Sequence, residues 1–258
     1  MPPEFVFALP PAGVFAIVIG TVGVIALLLH GLFYLPRLGG LARDFAAVSP
    51  VIVTITGTIF GLSVTFLANM VWNTEDRAQE TVNTEARSIA IMENYIESMT
   101  GPSRDGLYKL IEDYGHATAG EWETMTDDGA SPRAERMLRD IYSAIIKGFS
   151  EGEQNRLLQS RLLAALDVLS EARQQRLSMA HNIVSVGQWA LVTGLGLLLL
   201  FMVAAIHACA PKSRGPALAA VSLAIGIMLS VIVQHDRPFV GHSALTPAPI
   251  LWAAGVEP

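Results

Sequence analysis

Four stretches of this chain carry no Asp, Glu, Lys or Arg over lengths sufficient to cross a lipid bilayer. They lie between Glu4 and Arg37, Asp44 and Glu75, Arg176 and Lys212, and Arg214 and Asp236. A bilayer core about 30 Å thick takes about 20 apolar residues of helix to span. In hydrocarbon every backbone N–H and C=O must be satisfied within the protein, and uninterrupted apolar runs of this length do so as helices. The sequence therefore predicts an all-α integral membrane protein with transmembrane helices near 12–35, 46–72, 183–208 and 215–234. An antiparallel helical bundle is expected between the second and third. The chain opens Met1-Pro2-Pro3-Glu4, without the basic residues of a signal peptide, and its first apolar run is too long for one. That run reads as a retained helix.

The net charge belongs almost entirely to one region. Residues 73–182 hold 12 basic and 19 acidic side chains, a balance of −7 in a chain whose total is −6. This leaves no basic footprint for nucleic acid. The single cysteine, Cys209, rules out an internal disulfide or a thiolate metal site. His30, His116, His181, His207, His235 and His242 show no ligand spacing, so no metal or cofactor is expected. No nucleophile with a base and no glycine-rich phosphate loop is visible, which argues against an enzyme. Four domains are expected: spans one and two over 1–72, the bundle over 73–182, spans three and four over 183–235, and a tail over 236–258.

Orientation follows from basic residues in short loops, which mark the cytoplasm. Arg37 and Arg43 with Asp44 follow span one, and Lys212 and Arg214 follow span three. In a bacterial inner membrane this places those loops inside, and both termini with residues 73–182 outside. Arg77, Arg87, Arg173 and Arg176 pull the other way, but long loops weigh little in this rule.

The inserted region reads as helices. Val71, Ala78, Val82, Ile89, Met92, Ile96 and Met99 form an apolar stripe, interrupted by Glu85. No breaker separates this stripe from span two, so one helix is expected from about 46 to 99, stopped by Gly101-Pro102. A second segment near 103–121 carries Leu107, Leu110, Tyr114 and Ala117, and Thr126-Asp127-Asp128-Gly129 reads as a loop. Ser131-Pro132 caps a third helix with Met137, Leu138, Ile141, Ile145 and Phe149. Ser150-Glu151-Gly152-Glu153 has capping-box spacing and opens a fourth, with Leu158, Leu162, Ala165, Leu169 and Ala172. No breaker is seen before span three, so this helix is expected to continue into it.

The sequence also resembles a known family. Phe66-Leu67-Ala68-Asn69-Met70-Val71-Trp72 ends span two and leads through Ala78 and Val82 to Thr84-Glu85-Ala86. Leu169-Ser170-Glu171-Ala172-Arg173-Gln174-Gln175-Arg176-Leu177 precedes span three. Asp236-Arg237-Pro238-Phe239-Val240-Gly241 and Leu245-Thr246-Pro247-Ala248-Pro249 follow span four. These pieces resemble the bacterial bestrophin-like membrane family, a domain of unknown function, from roughly Phe45 to Ile250. Gln234-His235 before the Asp-Arg pair, and Thr246 in place of a serine, depart from its pattern. The aromatic neck of the animal channels is absent. The resemblance implies an oligomeric anion channel.

Several residues are candidates for function. Thr54, Thr58, Gly61, Thr65 and Asn69 share one face of span two and are candidate pore-lining residues. The same pattern serves helix packing, since Gly57-x-x-x-Gly61 is a close-approach motif. Glu75, Asp76 and Glu80 are pore-mouth candidates; repeated in an oligomer they favour cations, against the anions the resemblance implies. The alternative is a solvated helix start with Trp72 as interfacial anchor. Glu85 needs a cationic partner if buried; Arg173 and Arg176 are candidates for an ion pair, structural or gating, with Asn83 and Arg87 as alternatives. Asp236, Arg237, Pro238 and Phe239 form the motif just past span four. His30 and His207 end spans on one side, where interfacial placement or pH sensing both fit.

Two functions remain. One is a homo-oligomeric ion channel in the bilayer, conducting an inorganic ion along span two. The other is a membrane-anchored sensor or interaction protein acting through residues 73–182.

Overall fold

The computed structural model describes residues 6–7, 9–34, 50–99, 102–122, 124–125, 129–149, 153–181, 183–242 and 244–257. Arg37, Arg43 and Asp44 of the first loop, Gly101, Thr126, Asp127 and Asp128, and Ser150, Glu151 and Gly152 lie outside the described residues. The described residues are helical almost throughout: α1 (Pro11–Leu32), α2 (Pro50–Glu97), α3 (Pro102–Glu121), α4 (Pro132–Lys147), α5 (Glu153–Ser178), α6 (Val186–Ile206), α7 (Pro211–His235) and α8 (Ala248–Ala253). Four of them, α1, α2, α6 and α7, are long and apolar enough to cross a membrane. The chain divides into two compact units, Met1–Asn73 with Asn182–Ser243, and Thr74–His181 with Ala244–Pro258.

In the first unit α1 packs along α7 and against α6, and α6 packs on α7. α1 and α7 come close at Gly226, where a Cβ would stand 2.9 Å from Ile19 Cγ1 and 3.0 Å from its Cα. Membrane helices gain little from the hydrophobic effect and associate through close packing at small residues. Phe60 of α2 lies over Gly196 of α6 in the same way, 3.4 Å from where its Cβ would be. Phe60, Val64, Leu67 and Val71 thereby give α2 a buried face, joined to Val192, Leu200 and Val203 of α6 and Ile225 and Ile232 of α7.

The helix expected to run unbroken into span three is not continuous. α5 ends at Ser178 and α6 begins at Val186. Two sets of hydrogen bonds explain the break. Ser185 caps α6 reciprocally with Gln188, the Gln188 N–H donating to Ser185 Oγ (3.3 Å) and the Ser185 N–H to Gln188 Oε1 (2.8 Å). Just before, the Ile183 N–H donates to the Asp236 carbonyl (3.1 Å) and the Val184 N–H to Asp236 Oδ1 (2.7 Å). Amides that would have continued a helix are thus taken by the end of α7.

The rest of the 236–241 motif closes this corner. The Arg237 guanidinium lies 4.8 Å from the centre of the Phe7 ring, and Phe239 is buried. Gly241 has φ +102°, and a Cβ there would sit 2.8 Å from the Phe7 carbonyl oxygen. Both the dihedral and the close approach demand glycine.

In the second unit α3 packs on α4, α4 on α5, and α3 on α8. Ser131 caps α4 through the Arg133 N–H (3.3 Å), ahead of Pro132 in the first turn. The stripe from Ala78 to Met99 is buried along its whole length, as are Leu107, Tyr114, Ala117, Ile141, Ile145, Leu162, Leu169 and Ala172. The tail belongs to this unit: the Trp122 indole N–H donates to the Leu245 carbonyl (2.7 Å), and Gly115 leaves room for Ala254. Because Gly226 admits Ile19 at contact distance, Gly226→Leu is expected to cost about 1–3 kcal/mol by overpacking. Thermal unfolding of the purified protein in detergent measures it.

Candidate functional site

The membrane half of α2 has three faces. At about 100° per residue, the buried Thr56, Phe60, Val64, Leu67 and Val71 occupy one arc of about 80°. Thr54, Thr58, Gly61, Thr65 and Asn69 occupy another, centred about 140° away, and all five are exposed. Between the polar line and the buried arc lies a further apolar line, Ile55, Ile59, Leu62 and Phe66, also exposed. The threonine hydroxyls donate to carbonyls one turn back: Thr54 to Pro50 (3.2 Å), Thr58 to Thr54 (2.9 Å) and Thr65 to Gly61 (2.8 Å). The Asn69 amide makes no hydrogen bond among the described residues, and Cβ atoms at Gly57 and Gly61 would meet only Leu199 and open space respectively. Asp76 and Glu80 are exposed, Glu75 half-buried and Trp72 half-exposed.

A second cluster lies inside the other unit. Glu85 of α2 is fully buried and meets Arg176 of α5 as a fork: Arg176 Nε donates to Glu85 Oε2 (2.7 Å) and Nη2 to Oε1 (3.2 Å). The Tyr114 hydroxyl donates to Glu85 Oε1 (2.7 Å). Arg176 Nη2 also donates to Glu121 Oε2 (2.9 Å), Nη1 to Met125 Sδ (3.4 Å), and the guanidinium stacks 4.4 Å from the Trp122 ring centre. Arg173 does not reach Glu85; its Nη2 and Nε donate to Glu121 Oε1 (2.6 Å) and Oε2 (3.2 Å). The Ser131 N–H adds a bond to Glu121 Oε1 (2.6 Å). Two carboxylates and two guanidiniums thus neutralise one another, and the bidentate geometry repays part of their desolvation. Asn83 and Arg87 take no part.

Protonation follows from this packing. Burial, then the Glu85 charge, pushes the Tyr114 hydroxyl well above the usual tyrosine range, so it stays a donor. Burial works against the charge of Arg176, but Glu85, Tyr114 and Glu121 more than offset it and raise its pKa. Burial likewise opposes ionisation of Glu121, yet the Arg173 hydrogen bonds, the Arg176 charge and the Ser131 N–H hold its carboxyl below the ordinary value.

Glu121, Tyr114, Trp122 and Met125 were not singled out from the sequence as partners. A signal for Glu121 existed: it continues the α3 stripe through Leu107, Tyr114 and Ala117 at the next four-residue step, just as Glu85 continues that of α2. His30 lies beside Arg214, whose Nε donates to its Nδ1 (3.3 Å). Among the described residues no group of His, Cys, Asp or Glu converges as metal ligands.

A model of the bestrophin-like domain matches residues 13–250. The chain belongs to the bestrophin-like family. Two crystal structures, each of a membrane protein with a single substitution, have the same fold as this bestrophin-like chain. One has TM-score 0.71 at 10% identity, covering 94% of this chain and 99% of the other. The second has TM-score 0.70 at 10% identity, covering 93% and 98%. No curated protein matches the chain. It is therefore a membrane protein of the bestrophin type.

Arg176→Met would leave Glu85 buried without its cation and is expected to destabilise the protein by about 3–5 kcal/mol, read as a lower unfolding temperature. Glu121 supplies a pH dependence. Because its pKa is depressed, its stabilisation is present above the unfolded-state value of about 4.3 and lost as pH falls through the folded-state value. The unfolding temperature is expected to drop below about pH 4, and Glu121→Gln to flatten that acid slope.

Proposed function

We propose that this bestrophin-like chain assembles with copies of itself into an ion channel, with the polar line of α2 facing the conduit. The observation that carries the reading is the three-faced α2. One face is buried in its own subunit and one is apolar, as lipid requires. The third presents hydroxyls, a glycine and an amide where lipid would be a poor neighbour. Four spans per subunit are too few to enclose a wide path, so copies arranged about an axis would supply the remaining walls. Glu75, Asp76 and Glu80 follow on the same helix and would form the mouth, where rings of charge select ions.

A second reading is a membrane-anchored sensor or interaction protein. It is favoured by a cavity of about 730 Å³ between α4 and α5, lined by Leu138, Arg139, Tyr142, Leu166, Ser170 and Arg173. That volume suits a small ligand, and Arg173 links it to the Glu121–Arg176–Glu85 chain of ion pairs.

Ion flux into liposomes reconstituted with the full chain separates the two. For a channel, Asn69→Leu is expected to cut flux by roughly an order of magnitude, with oligomer size unchanged by light scattering. Protein that stays monomeric, or intact oligomers that leave liposomes ion-tight, would reject the channel. The weight would then fall on the domain cavity.

A further inference from the structure

The interface of α1 and α7 is tight at Gly226 but opens farther along into a cavity of about 420 Å³. Gly20, Gly23 and Leu27 of α1 line one side, Leu218 and Ala219 of α7 the other, and His30 closes one end. Its surface is overwhelmingly apolar. The two α1 glycines do not serve close packing: a Cβ at Gly20 or Gly23 would meet nothing within 4 Å. They leave a channel in the helix surface, within two segments that cross the membrane. From Gly20 to His30 the cavity follows α1 for about 15 Å at 1.5 Å per residue, half of a hydrocarbon core of about 30 Å. That is the depth of one leaflet.

His30 and Gly215 line that end of the cavity, and Arg214, next in the chain to Gly215, is bonded to His30 just behind the lining. Arg214 is 1% exposed. Its Nε donates to His30 Nδ1 (3.3 Å), Nη2 to the His30 carbonyl (3.1 Å) and Nη1 to the Ala208 carbonyl (3.2 Å). Its guanidinium lies 4.8 Å from the Tyr34 ring centre and 5.6 Å from that of Phe33. None of these partners is a carboxylate. Of its five N–H donors, two remain uncommitted among the described residues. The nearest described charge along the chain is exposed Lys212, of the same sign, and the described residues of α1 and α7 place no carboxylate at this end. A buried guanidinium without a counter-charge is costly, and the contrast with Arg176, met by two carboxylates, is complete.

We infer that this cavity holds one acyl chain of an anionic phospholipid, whose phosphate sits at Lys212 and supplies the counter-charge for Arg214. A single occupant accounts for both halves of the site. The apolar groove is one leaflet deep and takes a hydrocarbon tail. The Arg214 end lies where the headgroup of that same lipid would be. The inference does not rest on the channel reading and holds for either proposed function.

Native mass spectrometry and thermal unfolding of the full chain in mild detergent test it. The probes are dioleoylphosphatidylglycerol, dioleoylphosphatidylcholine and inorganic phosphate. The anionic lipid is expected to stay bound at one copy per subunit and to raise the unfolding temperature, with the zwitterionic lipid retained about tenfold less. Lys212→Gln should reduce that preference about fivefold. Gly23→Leu, whose side chain enters open space, should reduce retention of both lipids while helical content stays unchanged by circular dichroism. Equal retention of the two lipids by the unaltered protein would overturn the inference. So would lipid retention unaffected by Gly23→Leu, or stabilisation by inorganic phosphate matching that of the anionic lipid. Loss of the oligomer in Gly23→Leu with lipid count unchanged would assign the groove to a neighbouring subunit instead.

Discussion

Arg176 and Arg214 lie almost wholly inside this protein, and a guanidinium has five N–H groups and a charge that cannot be shed. Each unit is arranged around meeting that demand. Arg176 draws one carboxylate from α2 and another from α3, and Trp122 stacks on it while holding the Leu245 carbonyl of the tail. Helices far apart in sequence are brought to one point by a charge that tolerates no vacancy. Arg214 is handled differently. Carbonyls at the end of α1 and after α6 take its protons, and aromatic rings cover its face, but nothing among the described residues cancels its sign. The first arrangement closes on itself, and the second stays electrostatically open.

The spans were legible because hydrocarbon imposes the simplest rule in protein structure: a charge-free run of sufficient length becomes a helix. Span one, read near 12–35, is Pro11–Leu32, and the long helix read from about 46 to 99 is Pro50–Glu97. Periodicity also picked out the buried side of α2 down to the anomaly at Glu85. It did not show who answers Glu85, since periodicity describes one helix at a time. Arg173 and Arg176 are three residues apart on α5 and look equivalent in the sequence. Their separate partners depend on where Glu121 arrives, and that is a tertiary fact. The break between α5 and α6 was missed for a related reason: the residues that cause it, around Asp236, lie some fifty positions away.

The family motif after α7 gains a physical meaning from this break. Asp236 serves the amides ahead of α6 with both its carbonyl and its carboxylate, Arg237 covers Phe7, and Gly241 lets the backbone turn against the Phe7 carbonyl. The motif thus meets two neighbours, the amides ahead of α6 and Phe7, at one corner of the membrane unit. A proline between them stops α7 where the corner begins.

The hydroxyl bonds along α2 carry a consequence for how that helix appears from outside. A threonine whose proton is committed to the carbonyl one turn back shows its surroundings only oxygen lone pairs. Thr54, Thr58 and Thr65 therefore present a column of acceptors, polar in composition yet single-signed in character. Asn69 alone on that line can offer a hydrogen. To water, ion or neighbouring helix, the face is a ladder of weak negative potential with one reversible rung at its end.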